Sequence, residues 1–324
     1  MNKELFIEAL ESESIEKLRQ LPKCDFHNHA ARGGKQSFVE ASLGIKFPPV
    51  PIVFDSLEKM DKWYREGLKK SRFSSKMTYL KCVEANFVAA QEDNIVHLEL
   101  NFGIGEVFSF GGMEKFVCII NAIKQNFAPN ISFNPVITIY DTQGMEYLDE
   151  IFSYEWFKGV DIINYKQKLS IREMRSICDC ARKYHIRTKS HIGEFEAADD
   201  IWRYAEELML DEIQHGIQAV HSPKVMEWLA RHQLPLNICP TSNIRLGLCN
   251  NYQGHPIGKL YRHGVQVTIN TDDRLIFGSS VSGEFLKLYQ HHNLNQEELY
   301  DIYRRSFLLT KRPASYSQYL KDKK

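Results

Sequence analysis

The stretch Cys24-Asp25-Phe26-His27-Asn28-His29 ends a short apolar run with two histidines one residue apart. In a strand, residues i and i+2 point to one face, so His27 and His29 aim at the same place. Such a pair suits a divalent metal, zinc first, or else two buried, hydrogen-bonded histidines. Three later stretches extend the pattern: Ser190-His191-Ile192-Gly193-Glu194, Gln214-His215-Gly216 and Thr271-Asp272-Asp273. His27, His29, His191 and Asp272 together offer three imidazoles and a carboxylate, leaving one coordination position for water. Zn²⁺ fits this donor mix, as do Fe²⁺, Co²⁺ and Mn²⁺. A metal held this way lowers the pKa of its water to about 7. His215 could orient the resulting hydroxide. Glu194 could exchange a proton with a substrate ring nitrogen, or cap the helix that follows. Asp273 could bond a second ring nitrogen, or cap a turn.

These residues act together only if the chain gathers them. Apolar periodicity predicts a helix over 3–20, stopped by Leu21-Pro22, then a first strand ending at His29. Residues 30–75 are irregular at first, with Arg32-Gly33-Gly34 and Pro48, Pro49 and Pro51, and rich in Phe, Trp and Tyr. A long insertion with its own apolar residues, placed directly after a metal strand, reads as a lid or as a surface excursion. Helices are then expected at 77–93, 113–127, 143–156, 170–184, 197–209, 221–232 and 254–263. They alternate with strands at Ile95–Leu100, Ile131–Tyr140, Val160–Ile163, Ile186–Ile192, Glu212–His215, Leu234–Cys239 and Val265–Asn270. Helices near 281–290 and 296–308 close the chain. Eight strands alternating with helices predict an α/β fold, a single (β/α)8 TIM barrel domain over 1–324 with a lid-like insertion at about 30–75. His27 and His29 then end strand one, His191 strand five, His215 strand six and Asp272 strand eight. All share the barrel face where active sites sit.

Composition narrows the partners. Lys plus Arg and Asp plus Glu both count 41 among 324 residues, so no basic field awaits nucleic acid or a membrane. The N-terminal stretch carries early acids and no apolar signal region, and no run approaches the roughly 20 apolar residues of a membrane span. Seven scattered cysteines read as reduced thiols in a cytoplasmic protein. Cys178 and Cys180 fall on different faces of an expected helix and carry no metal or redox role.

The motifs resemble the adenosine/adenine deaminase family of metal-dependent amidohydrolases. The matching stretches are Pro22 to His29, His191-Ile192-Gly193-Glu194 for the family's His-Ala-Gly-Glu, His215-Gly216, Cys239-Pro240-Thr241-Ser242-Asn243, His255-Pro256-Ile257 and Val267 to Asp273. The resemblance implies one Zn²⁺ on His27, His29, His191 and Asp272, and hydrolytic deamination of a 6-aminopurine nucleoside, nucleotide or base. In that scheme metal hydroxide adds to C6, Glu194 protonates N1, His215 positions the hydroxide, Asp273 binds N7 and ammonia leaves. The cytidine-type signature, His-x-Glu with Pro-Cys-x-x-Cys, is absent.

The chain departs from the family at three places. Ala31 stands where an acid usually contacts the ribose 5′-hydroxyl, which weakens adenosine as substrate. Arg32 beside it could meet a phosphate or carboxylate, or pair with an acid of the insertion. Asn164 replaces the glycine whose amide contacts purine N3, and Arg274 replaces the usual proline as a second cation near the rim. A modified purine such as N6-methyl-AMP is therefore a second candidate. Two other readings keep the fold: a binuclear amidohydrolase using Lys166, and a non-enzymatic binding protein retaining the pocket.

Overall fold

Eight parallel strands run round a barrel in chain order: β1 (Lys23–Asp25), β2 (Ile95–Gly103), β3 (Ser132–Ile139), β4 (Gly159–Ile163), β5 (Arg187–Ile192), β6 (Glu212–His215), β7 (Leu236–Ile238) and β8 (Val267–Ile269). The computed structural model describes residues 2–312 except residue 55. Helices cover the outer face. Ile171–Lys183 shows why they form there: a Ser170–Glu173 capping box opens it, and Met174, Ile177, Cys178 and Ala181 are buried along one stripe. All seven cysteines are free. Among the described residues no helix is long and apolar enough to cross a membrane.

The seam between β8 and β1 is closed by one isolated parallel bridge, Asn28 to Asp272, and by side chains rather than by a ladder. Asn270 Oδ1 accepts from Phe26 N at 2.8 Å, and Asp272 N donates to His27 O at 2.9 Å. Asp25 accepts from Thr271 Oγ1 at 2.6 Å, and Asn28 Nδ2 donates to the same hydroxyl oxygen at 2.8 Å. This stitch ties the first histidine stretch to the aspartate stretch. Burial pushes the Asp25 carboxyl up to about 6.

The barrel interior is charged where apolar layers are usual. Glu99 on β2 pairs with Arg187 and Lys189 on β5, and both cations reach Glu212 on β6, at 2.9 and 2.8 Å. β2 and β5 are not neighbours, so these pairs cross the interior. Hydrogen bonds carry the network on through Asn237, Thr268 and Asn270. Two carboxylates and two cations balance, which makes their burial tolerable.

Residues 30–75 hold two helices, Gln36–Leu43 and Leu57–Leu68. Val39, Leu43, Phe47, Phe54, Met60, Trp63 and Tyr64 pack with Cys82, Ala85 and Leu275–Phe277 into a cluster of their own. Phe47 stacks on Trp63 at 5.2 Å. The insertion thus rests on the turn that directly follows Asp272 and Asp273. Gly33 lets it leave the barrel closely: a Cβ there would lie 1.6 Å from Asn28 Oδ1.

Several expected elements differ. The 3–20 helix is two, Lys3–Glu11 and Ile15–Gln20, because Glu13 turns left-handed and Ser14 caps the second. The regular part of β1 stops at Asp25, and Asn28 and His29 make only isolated bridges. The 143–156 helix shrinks to a 3₁₀ turn at Met145–Tyr147 and a helix at Leu148–Ser153. Short helices at Ile104–Ser109, Pro240–Arg245 and Arg274–Phe277 had no periodicity long enough to reveal them.

Candidate active site

The strand ends open on a cavity of about 1040 Å³, lined by His29, His191, Glu194, His215, Asp272 and Asp273 among others. His27 lies fully buried beneath. Its Nε2 is 3.4 Å from His29 Nε2 and 3.4 Å from Asp272 Oδ1, and His29 Nε2 is 3.1 Å from that oxygen. The His191 and His215 rings pack 4.7 and 4.6 Å from His27. Donor atoms lie within 4.8 Å of one another in four overlapping triads: His27–His191–His215, His27–Cys239–Asp272, His29–Asp272–Asp273 and Glu194–His215–Asp272. No triad holds more than two of the four expected ligands, yet the shared residues link the triads into one cluster. Cys239 was not expected there.

Two of these residues sit where the backbone is strained. His215 and Asp272 have φ of 63° and 56°, in the left-handed region that non-glycine residues avoid. Gly193, at φ +71°, turns the chain between His191 and Glu194, and a Cβ there would meet Ile201 at 2.3 Å.

Hydrogen bonds fix the tautomers. Asp161 on β4 lies 3.1 Å from His191 Nδ1, so that nitrogen carries the proton and Nε2 offers a lone pair. Asn101 donates to the same carboxylate at 2.5 Å. His255 Nδ1 accepts from Ile257 N at 3.2 Å, so its Nε2–H donates to Asn243 Oδ1 at 3.2 Å. The Asn243 amide nitrogen must then donate to His215 Nδ1, at 3.2 Å, which leaves the proton of His215 on Nε2. That N–H points toward Asp272 Oδ2, 3.9 Å away. Ser242 donates to this oxygen at 2.6 Å.

The ring and carboxyl charges follow from burial. Burial pushes His27 down to about 4 and His215 well below the usual histidine range, so both stay neutral, the form a metal or a hydrogen bond needs. Burial opposes ionisation of Asp272 too, but His27 and His29 hold it well below the ordinary carboxylate range. Neutral imidazole lone pairs facing a buried carboxylate are poorly satisfied by one another and well satisfied by a shared cation. The donor set therefore fits a divalent metal.

Glu194 is the opposite case. Burial first, then the Asp272 charge, raises its carboxyl well above the ordinary range, which favours the protonated form that a general acid needs. Oε1 lies 3.6 Å from His215 Nδ1, and Oε2 accepts from the Tyr165 hydroxyl. Asp273 is also raised, by burial and by Asp272, with Arg32 opposing.

The departures from the family resolve differently. Arg32 lines the cavity but pairs with Asp61 of the insertion, lies 3.5 Å from Asp273 Oδ2 and covers the Tyr64 ring at 5.2 Å. The Asn164 side chain folds back on Leu169, giving and taking bonds of 2.9 Å, so it caps its own loop. Arg274 is not a rim cation: its Nη1 donates to Ala89 O at 2.8 Å, under the helix Ser75–Glu92. Lys166 is exposed, three residues past the end of β4. On the strand itself, the group facing His191 is Asp161.

Sequence reasoning missed Asp161, Tyr165 and the tautomer-setting roles of Asn243 and His255. Asp161 alone carried a signal, as a single acid inside the apolar run Val160–Ile163. Tyr165 carried none.

Residues 164–323 match the family model described as adenosine deaminase. The adenine deaminase of Wolinella succinogenes is 35% identical over 306 residues, covering 88% of this chain and 91% of that one. Among solved structures, the adenine deaminase of Arthrobacter aurescens superposes with a TM-score of 0.76 at 19% identity, over 93% of this chain and 97% of its own. The N6-methyl-AMP deaminase of Arabidopsis thaliana gives 0.72 at 19%, over 95% and 97%.

Proposed function

The chain belongs to the adenosine/adenine deaminase family, and from that premise we propose that it hydrolyses the C6–N bond of an unphosphorylated 6-aminopurine, adenine first, releasing ammonia. The observation that carries this reading is the convergence of His27, His29, His191, His215 and Asp272 at one end of the barrel, beside the buried Glu194. His27, His29, His191 and Asp272 would hold one divalent metal, Zn²⁺ by donor type. When bound, that metal lowers the pKa of a coordinated water to about 7.

The chain's own residues do the rest. His215, its proton on Nε2, orients the attacking water over C6. Glu194 gives a proton to N1, which makes C6 electrophilic. Asp273, with its Oδ1 buried and without a protein partner among the described residues, bonds N7. The oxygen of the water stays on C6, one of its protons passes to the departing nitrogen and the other restores the Glu194 carboxyl, the C6–N bond breaks and ammonia leaves. Asn164 offers its backbone amide to the base edge, because its side chain is engaged elsewhere. The insertion 30–75 serves as a lid that excludes water.

Arg32 supports the choice of an unphosphorylated substrate. A phosphate would have to displace both Asp61 and Asp273 from the guanidinium. Two other cations of the rim are paired as well, Lys168 with Asp141 at 2.8 Å and Arg203 with Asp200 at 2.6 Å, while Lys166 lines the cavity exposed, with no ion pair among the described residues. We therefore expect Arg32→Ala to lower kcat/KM for adenine by about tenfold, through a loosened Asp273, without a separate loss for AMP. Steady-state kinetics on adenine, adenosine, AMP and N6-methyl-AMP check this. A loss confined to the nucleotides would make Arg32 a phosphate receptor and the nucleotide the substrate. The binuclear reading predicts two metals per chain, and elemental analysis of reconstituted protein distinguishes it from one.

A further inference from the structure

Glu194 has two carboxyl oxygens in different surroundings. Oε2 accepts from the Tyr165 hydroxyl. Oε1 is buried, 3.6 Å from His215 Nδ1, and has no hydrogen-bond partner among the described residues. A protonated carboxyl can carry its proton on either oxygen, and an oxygen already engaged as an acceptor is the less available one. A donor on Oε2 makes that oxygen the acceptor and leaves the proton to Oε1.

Tyr165 is built to hold this place. It follows Asn164 directly, and the Asn164–Leu169 bonds pin the start of the loop. Its ring meets His191 edge-on at 5.9 Å and Phe195 at 5.2 Å, so the two residues flanking the His191–Glu194 turn clamp it. Burial and the adjacent Glu194 raise its phenol well above the usual range, so the hydroxyl remains a donor.

We propose that Tyr165 is a positioning residue, one that occupies Oε2 of Glu194 and so reserves Oε1 for the proton exchanged with the substrate ring nitrogen. This rests on the deaminase reading above. Tyr165 lines the same cavity, makes no hydrogen bond to the four expected metal ligands, and acts through Glu194.

Tyr165→Phe keeps the ring contacts and removes only the hydroxyl. The measurement is kcat and KM of metal-loaded wild type, Tyr165→Phe, Glu194→Asp and the double variant on adenine and adenosine. Hypoxanthine and inosine binding by calorimetry and thermal melting accompany it. We expect Tyr165→Phe to lose about 10- to 100-fold in kcat, the range typical of groups that orient a reactive one. KM and product affinity should stay within threefold, and melting should be unchanged. In the double variant the tyrosine's effect should vanish, because the two act as one unit. Wild-type-like kcat in Tyr165→Phe, a loss that adds fully to that of Glu194→Asp, or a loss accompanied by lower melting temperature would each overturn the proposal while leaving the deaminase reading intact. Wild type that releases ammonia from no aminopurine would overturn that reading, and the proposal with it.

Discussion

Glu194→Gln lowers kcat for adenine by ~10²–10⁴-fold, the usual worth of a positioned general acid. Glutamine keeps the shape of the side chain and an acceptor for Tyr165, but has no proton to give to N1. KM should change little, because the amide still bonds the ring nitrogen, and folding should be unaffected. Wild-type kinetics also carry a pH signature. Burial and Asp272 raise the Glu194 pKa well above the ordinary range, which favours the active, protonated form. Activity then falls as pH rises through that raised value, and this basic limb should be missing from the residual rate of the variant. A variant with wild-type kcat would remove Glu194 from the chemistry.

The second large effect lies under the site, in the charged interior. Lys189→Met should destabilise the fold by about 3–5 kcal/mol, the cost of breaking a buried ion pair by removing one partner. Lys189 is fully buried between Glu99 and Glu212, and the remaining Arg187 cannot neutralise both carboxylates. Urea unfolding measures the loss. Removing one charge of each sign, as in Lys189→Met with Glu212→Gln, should cost less than Lys189→Met alone. Burial opposes charging all of these groups, but their opposite charges overcome it. Glu99 and Glu212 are held below their ordinary range. Their contribution is present above the unfolded carboxyl value of about 4.3 and is lost as pH falls through the folded values. Lys189 is raised. Its contribution is complete below about 10.4 and is lost as pH rises through the folded value. The variant should therefore show a weaker dependence of stability on pH at both ends.

The eight-strand order and the gathering of His27, His29, His191, His215 and Asp272 were legible because each lies at the end of a short stretch set between expected helices. Period and punctuation locate such ends. The elements that were misjudged are those where local chemistry overrides period: Glu13 and Ser14 break a helix by backbone conformation and capping, and Pro240–Arg245 is a single turn and a half. The orienting layer was illegible for a different reason. Asn243 fixes His215 only because His255, twelve residues on, takes its direction from Ile257 N, and no spacing rule encodes that relay. Arg32 shows the limit most directly. Its type left open an external anion or an acid of the insertion, and the fold selects the second, Asp61, with Asp273 as a further partner that the sequence did not name.

The most direct test is ammonia release from adenine by metal-reconstituted protein, with chelator-treated protein and Glu194→Gln as controls. The expected result is equimolar ammonia and hypoxanthine from the reconstituted wild type, abolished by chelation, restored by one equivalent of Zn²⁺ and nearly absent in the variant. No ammonia from adenine, adenosine, AMP or N6-methyl-AMP, from protein carrying one metal per chain, would contradict the assignment of this site to purine deamination.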